Sequence, residues 1–248
     1  MTLDEFNASR ARCINEMRGE LKGYDCQLCR NKGYIAYTEP DVGIRTKQCS
    51  CMITRESMKR MRESGLSDLL ERCSFENFLT ELPWQAEMKS AAERYLAGGR
   101  GKWFFASGTP GTGKTMLCTA LCGEMLKRGL SVRYMIWRKD APKLKSMLSE
   151  QYLEYEKMMF DYADCDVLYI DDFLKGKITD ADINLAFELV NSRYCRRNAA
   201  GTIISSELTM DQLLNVDEGL SSRIAECAAG YMIRTPKDNI RLQKAAGK

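Results

Sequence analysis

The segment between residues 108 and 115 constrains the fold of this chain more than any other part of the sequence. A short apolar run at 102–106 precedes it and predicts a buried strand, and 114–128 predicts a helix that stops at Gly129. The segment fits the pattern G-x-x-x-x-G-K-[ST] in full, because it reads Gly108-Thr109-Pro110-Gly111-Thr112-Gly113-Lys114-Thr115. A strand, a glycine-rich loop and a helix in this order are the context that the pattern requires.

The loop predicts a binding site for a polyphosphate. Its glycines let backbone N–H groups wrap the phosphates, and the helix behind it adds about half a positive charge. We expect Lys114 to reach the β- and γ-phosphates of ATP and the hydroxyl of Thr115 to bind Mg²⁺. A glycine-rich turn without a ligand is the alternative, which the flanking strand and helix disfavour.

An apolar run that ends in two acids predicts the second half of the same site. Residues 166–171 predict a strand, and Asp171 and Asp172 stand at its carboxyl end. We expect Asp171 to hold the Mg²⁺ through water, opposite the loop. Asp172 is then placed to polarise the attacking water as general base.

Helical and strand patterns alternate from residue 74 onward. The alternation predicts an α/β fold with a parallel sheet and helices on both faces. Further strands are predicted at 132–137 and 202–205, and helices at 83–96, 139–149, 151–162 and 180–196.

Four cysteines cluster near the start of the chain. Cys26 and Cys29 form a C-x-x-C pair, and Cys49 and Cys51 form a C-x-C pair. Four thiolates in two close pairs suit tetrahedral Zn²⁺, which would supply folding energy to a region with little core. Free or disulfide-bonded cysteines and an iron–sulfur cluster are the alternatives. Four nearby cations are expected to balance the charge of the centre: Arg30, Lys32, Arg45 and Lys47.

Length and composition predict a two-part chain. We assign 1–65 to a zinc-binding domain, 66–74 to a linker and 75–248 to an ATPase domain. The sequence has no apolar run of about 18 residues, which predicts no membrane span. Its first residues also lack the apolar run of a signal peptide. Eleven cysteines without such a signal predict a reducing, cytoplasmic location. Histidine is absent, which excludes His-based triads and His metal ligands.

Three further segments carry a resemblance to a known family: 189–194, 219–224 (Gly-Leu-Ser-Ser-Arg-Ile) and 237–241 (Lys-Asp-Asn-Ile-Arg). Together with the phosphate loop, residues of about 74–248 resemble the bacterial and phage replicative helicase loaders of DnaC/DnaI type, which are AAA+ ATPases, and their transposition relative IstB. The resemblance implies that Arg223 reaches the nucleotide of a neighbouring subunit. It also implies that Arg241 contacts the phosphates of the nucleotide bound by its own subunit.

A zinc-binding domain ahead of an AAA+ P-loop ATPase domain resembles the DnaI arrangement. The resemblance implies that the first domain docks on a hexameric replicative helicase and that the ATPase self-associates into a ring or spiral. Single-stranded DNA would bind weakly through basic residues, although a solvated charged face is an equal alternative. The candidate residues are Arg133, Arg138, Lys139, Lys143 and Lys145.

One residue departs from the loader pattern. The strand at 202–205 leads to Glu207, where loaders usually have an asparagine near the γ-phosphate. An anion there would repel the phosphate. Either Ser205 or Ser206 then serves as the polar contact, or hydrolysis is slow and the protein acts mainly as a binding switch.

Two other functions compete with the loader hypothesis. One is an IstB-like transposition ATPase that acts on duplex DNA with a transposase, although IstB proteins generally lack the four-cysteine region. The other is a small-molecule kinase with the same loop, which would leave Arg223, the predicted helices at 139–162 and the cysteines unexplained.

Overall fold

The computed structural model describes residues 2–61, 67–98 and 101–236. The chain divides into two compact units, Met1–Lys59 and Arg60–Lys248. No helix in these described ranges is both long and apolar enough to cross a membrane.

The first unit combines a helix with a β-hairpin. Helix α1 (Leu3–Glu16) begins with a capping box, in which the Thr2 hydroxyl accepts from the Glu5 amide and the Glu5 carboxylate accepts from the Thr2 amide. Strands β1 (Tyr34–Glu39) and β2 (Gly43–Gln48) pair antiparallel. Helix α2 (Cys51–Met61) starts at the last clustered cysteine. The sequence predicted turns between the cysteine pairs, and the hairpin is an addition to that expectation.

The second unit is an α/β domain, as predicted. Its helices are α3 (Ser67–Arg72), α4 (Pro83–Gly98), α5 (Lys114–Lys127), α6 (Trp137–Glu150), α7 (Tyr152–Asp164), α8 (Asp180–Cys195), α9 (Met210–Val216) and α10 (Glu218–Cys227). Its strands are β3 (Trp103–Ser107), β4 (Val132–Ile136), β5 (Val167–Asp171), β6 (Gly201–Ser206) and β7 (Met232–Arg234). Helix α3 lies within the stretch interpreted as a linker, and β7 was not predicted.

The order of the strands decides which loops meet. The five strands lie in the order β4-β5-β6-β3-β7, and every neighbouring pair is parallel. Strand β6 is therefore inserted between β3, which leads into the phosphate loop, and β5, which ends at the paired acids. Since the carboxyl ends of parallel strands share one edge, the segments after β3, β6 and β5 lie side by side there.

A buried arginine on α8 connects this helix to the end of α7 and the start of β6. Arg193 is fully buried, and its Nη1 donates to the carbonyls of Ala163 at 3.0 Å and Cys165 at 2.5 Å. Its Nε donates to Thr202 Oγ1 at 3.2 Å, and Nη2 donates to the Gly201 carbonyl. The guanidinium thus joins the end of α7 to the start of β6. Periodicity alone does not distinguish this residue from an exposed arginine.

Candidate nucleotide site and metal centre

The phosphate loop is packed against the segment that follows β7. Gly108 has a φ of 116°, and a Cβ there would meet Thr235 Oγ1 at 2.5 Å and the Thr235 carbonyl oxygen at 2.8 Å. The Thr235 amide donates to the Ser107 carbonyl at 2.8 Å, and its hydroxyl lies 3.1 Å from Thr112 Oγ1. Only a glycine fits at 108. Thr235 was not indicated by the sequence pattern, because β7 was not predicted.

Lys114 lies over the loop that is predicted to hold the phosphates. Its Nζ donates to the carbonyls of Gly108 and Thr109, both at 2.7 Å. Burial lowers the pKa of Lys114, and the nearby carboxylates of Glu207 and Asp172 counteract this. An ammonium group held at the loop by two of its carbonyls can contact the terminal phosphates of a nucleotide.

Asp171 and the loop come together as predicted for a magnesium site. Thr115 Oγ1 donates to Asp171 Oδ1 at 3.1 Å. Two tyrosines also donate to this carboxylate, Tyr169 to Oδ1 at 2.7 Å and Tyr134 to Oδ2 at 2.9 Å. The hydroxyl of Ser205 donates to Oδ1 as well. A carboxylate that accepts this many hydrogen bonds is held in one orientation, and its pairing with a threonine hydroxyl fits a hard cation such as Mg²⁺.

The residues after β5 and β6 meet beside this carboxylate. Asp172 has a φ of 55°, and its amide donates to Ser205 Oγ at 3.1 Å. Ser206 Oγ donates instead to the Phe173 carbonyl at 2.8 Å, so Ser205 is the serine whose hydroxyl faces the acids. Sequence reasoning left open which serine would do so. Residues with strained backbone conformations cluster at functional sites, and the positive φ of Asp172 agrees with its predicted role as general base.

Lys175 joins two acids of the site, and the sequence did not indicate it. Its Nζ lies 2.7 Å from Glu207 Oε1 and 3.2 Å from Asp172 Oδ2. Burial alone would lower the pKa of Lys175, but hydrogen bonds to the two carboxylates outweigh it and raise this pKa. Glu207 is therefore held as one member of an ion pair.

Arg223 lies on α10 and contacts α8. Its Nη1 donates to the Gly219 carbonyl at 2.8 Å and its Nε to Asn191 Oδ1 at 3.1 Å, while the guanidinium lies 4.8 Å from the ring centre of Phe187. Within the described part of the chain these contacts are with α8 and α10 and not with the phosphate loop. The role of Arg223 toward a neighbouring subunit stays a prediction, and Arg241 lies outside the described residues.

Two of the five basic residues predicted to bind DNA form ion pairs with acids of this chain. Arg133 Nη2 lies 2.7 Å from Asp161 Oδ2, and Lys145 Nζ lies 2.6 Å from Asp182 Oδ1. These two cations are neutralised by acids that the sequence reasoning did not place beside them. The remaining members are exposed on α6: Arg138, Lys139 and Lys143.

The four clustered cysteines meet in the first unit. All four are buried, and their Sγ atoms lie within 4.8 Å of one another. The Sγ atoms of Cys26 and Cys49 are 3.8 Å apart, and those of Cys29 and Cys51 are 3.5 Å apart. The edge of a tetrahedron with Zn–S bonds of about 2.3 Å is about 3.8 Å, so the donor set and its spacing fit zinc.

The electrostatics of the cluster also favour a bound cation. Burial opposes the thiolate of Cys29, but hydrogen bonds from the Gly33 amide and from Cys51 lower its pKa to about 6. Burial raises the pKa of Cys51 to about 12, although a hydrogen bond from Arg55 counteracts this. One thiolate thus forms easily and suppresses the ionisation of its neighbours. A divalent cation bound by the four sulfur atoms would stabilise all four as thiolates.

Arg55 is a cation beside the cysteine cluster that the sequence analysis did not indicate. Its Nη2 donates to the Tyr24 carbonyl at 2.6 Å and to Asn31 Oδ1 at 2.9 Å, which holds the guanidinium beside the cysteine turn. The four cations named earlier make other contacts, and their balancing of the charge of the centre stays a prediction. Arg30 donates to the Glu16 carbonyl, Lys32 to the Met17 carbonyl, Arg45 pairs with Glu39, and Lys47 lies over the ring of Tyr37.

Comparison with known proteins identifies the family of this chain. Residues 102–226 match the family described as IstB-like ATP binding protein. The replicative helicase loader DnaC of Escherichia coli (strain K12) is 30% identical over 169 residues, which cover 64% of this chain and 68% of DnaC. The chain belongs to the DnaC/IstB-type family of ATP-binding proteins. The phage-like element PBSX protein XkdC of Bacillus subtilis (strain 168) is 29% identical over 248 residues, or 93% of this chain and 90% of XkdC.

Solved structures agree with the DnaC/IstB-type assignment. The crystal structure of DnaI superposes with a TM-score of 0.55 at 23% identity, over 69% of this chain and 92% of that one, and shows the shared fold. AMPPCP-bound DnaA from Aquifex aeolicus superposes with a TM-score of 0.55 at 25% identity over 71% of this chain. The present chain spans about half, 55%, of that DnaA chain. This DnaC/IstB-type protein is an AAA+ ATPase, and the predictions of family, fold and ATPase class are confirmed.

Proposed function

We propose that this protein is an ATP-dependent loader that binds a hexameric replicative DNA helicase and helps to place it on single-stranded DNA. The observation that carries the proposal is the relation to the DnaC helicase loader, which is 30% identical over about two thirds of both chains. The residues that match the IstB-like family, 102–226, contain the phosphate loop and the acid-bearing strand β5, which lie together in the fold. The proposal thus assigns to this chain the activity for which that relative is named.

The nucleotide site of the loader is built by three neighbouring segments. The amides of 108–115 hold the triphosphate of ATP, and Lys114 contacts its β- and γ-phosphates. Thr115 and Asp171, whose side chains are 3.1 Å apart, are the residues that would hold Mg²⁺. The ion neutralises charge on those phosphates when it is bound. Asp172 orients the attacking water and takes its proton.

The first unit provides the surface that docks on the helicase. Zn²⁺ held by Cys26, Cys29, Cys49 and Cys51 stabilises a unit that has a small core. Large apolar side chains remain on its surface and give a partner area to bury, among them Leu3 at 75% exposure, Met17 at 64% and Leu28 at 63%.

The ATPase acts as a self-associated ring or spiral. Arg223 is partly exposed on α10, where a second copy can reach it. A guanidinium supplied across a subunit boundary stabilises the charge that develops during phosphoryl transfer. Single-stranded DNA binds weakly, through the exposed cations of α6.

An IstB-like transposition ATPase is the second candidate. The family match over residues 102–226 favours it, since that match is to IstB-like proteins. Such a protein acts on duplex DNA together with a transposase. The cysteine centre lies outside the matched residues and is unexplained by this alternative.

A capture experiment separates the two candidates. The full-length tagged protein is incubated with the replicative helicase of its host, with and without Mg-ATP. We expect the wild type to retain the helicase hexamer. The double variant Cys26→Ser/Cys51→Ser should lose the helicase and keep ATP binding, whereas Cys195→Ser, an exposed cysteine outside the cluster, should behave as wild type.

Two results would contradict the loader proposal. One is a wild-type protein that retains no helicase with or without nucleotide. The other is ATP-dependent binding of duplex DNA without any helicase, which would favour the transposition ATPase.

A further inference from the structure

Glu207 lies beside the phosphate loop and Asp172. It follows Ser206, whose carbonyl accepts a hydrogen bond from the Gly108 amide at 3.2 Å. On the other side, Ser205 accepts from the Asp172 amide at 3.1 Å. Glu207 is thus flanked by the first glycine of the phosphate loop and by the predicted general base.

The charges around this position do not favour a further anion. Among the described residues, Asp171, Asp172 and Glu207 supply three carboxylates to this region, whereas Lys114 and Lys175 supply two ammonium groups. A triphosphate adds negative charge even when Mg²⁺ accompanies it. Without one of the two cations, the site would repel the nucleotide most strongly at its terminal phosphate.

Lys175 is placed to prevent this repulsion. Its Nζ lies 2.7 Å from Glu207 Oε1 and 3.2 Å from Asp172 Oδ2, and its side chain is 27% exposed. The shorter contact is the one to Glu207. An ion pair that is mostly buried in this way is only partly screened by water, so its electrostatic effect extends to neighbouring groups.

We propose that Lys175 is a positioning residue that neutralises Glu207 and so allows the site to accept a triphosphate. Lys175 acts through Glu207 and not on the phosphates directly. The pair therefore sets the preference for ATP over ADP, because only ATP brings a γ-phosphate near Glu207. This inference rests on the nucleotide site of the proposed function.

The test measures the affinities of the full-length protein for Mg-ATPγS and Mg-ADP. The set comprises wild type, Lys175→Met, Glu207→Gln and the double variant, with Lys177→Met as the matched control, an exposed lysine on the same loop. We expect Lys175→Met to weaken ATPγS binding about tenfold and ADP binding less, as fits one partly screened unit charge. The double variant should recover most of the lost affinity, since the charge of Glu207 is then absent and needs no compensation. Thermal unfolding of each variant checks that it is folded.

The charge rescue distinguishes this role from a purely structural one. The inference is overturned if Lys175→Met binds ATPγS as wild type does, or if it loses both nucleotides equally and the double variant shows no recovery. A wild-type protein that binds no ATPγS would contradict the proposed nucleotide site itself. Binding by wild type with an unaffected Lys175→Met variant would contradict only the role of Lys175.

Discussion

Gly108→Ala tests whether the phosphate loop depends on the segment after β7. The new Cβ would lie 2.5 Å from Thr235 Oγ1 and 2.8 Å from the Thr235 carbonyl oxygen. The hydroxyl can rotate away, but the carbonyl belongs to a backbone that is held to β3 by the hydrogen bond from the Thr235 amide to Ser107. The loop or the segment must therefore move.

The magnitude follows from two contributions. A side chain at a φ of 116° costs about 1–2 kcal/mol in backbone strain. Displacing a packed backbone adds about 1–3 kcal/mol, as for other overpacked sites. We expect Gly108→Ala to lower the free energy of unfolding of the second unit by about 2–5 kcal/mol.

Gly129→Ala is the matched control. Gly129 also has a positive φ, 81°, but a Cβ there has no atom within 4 Å, so only backbone strain applies and about 1 kcal/mol is expected. Urea unfolding followed by tryptophan fluorescence measures both variants, because all three tryptophans lie in the second unit. Nucleotide titration then compares ATP affinity, which Gly108→Ala should reduce and Gly129→Ala should not. Equal stabilities and equal ATP affinities in the two variants would refute the packing of Thr235 on the loop.

Two other predictions address the second subunit and the metal. Arg223→Ala should lower ATP hydrolysis, since the arginine is proposed to act on the nucleotide of a neighbouring subunit. Nucleotide binding should stay intact, because within its own subunit the guanidinium contacts α8 and α10. Steady-state hydrolysis at several protein concentrations measures the effect, and activity equal to wild type would reject the role in trans. Metal analysis of the full-length protein should find about one zinc per chain, which Cys26→Ser/Cys51→Ser loses. Full zinc content in that double variant would show that these sulfurs are not the ligands.

Patterns of consecutive residues were sufficient for much of this protein. The phosphate loop, the acids at 171 and 172, the paired cysteines and the alternating helices and strands each depend on a few residues close in sequence. Local rules therefore predicted the α/β fold, and the resemblance predicted the family. The cysteine hairpin and β7 were missed, since a short polar hairpin and a three-residue strand carry little periodicity.

The packing of distant segments decided the rest. Insertion of β6 between β3 and β5 brings Ser205 and Glu207 beside the acids, and only this order lets Lys175 join two carboxylates. Thr235 reaches Thr112 across 123 positions of sequence. Arg193 is buried where α7 ends and β6 begins. Such contacts depend on strand order and on how helices cover the sheet, which the spacing of residues along the chain does not specify.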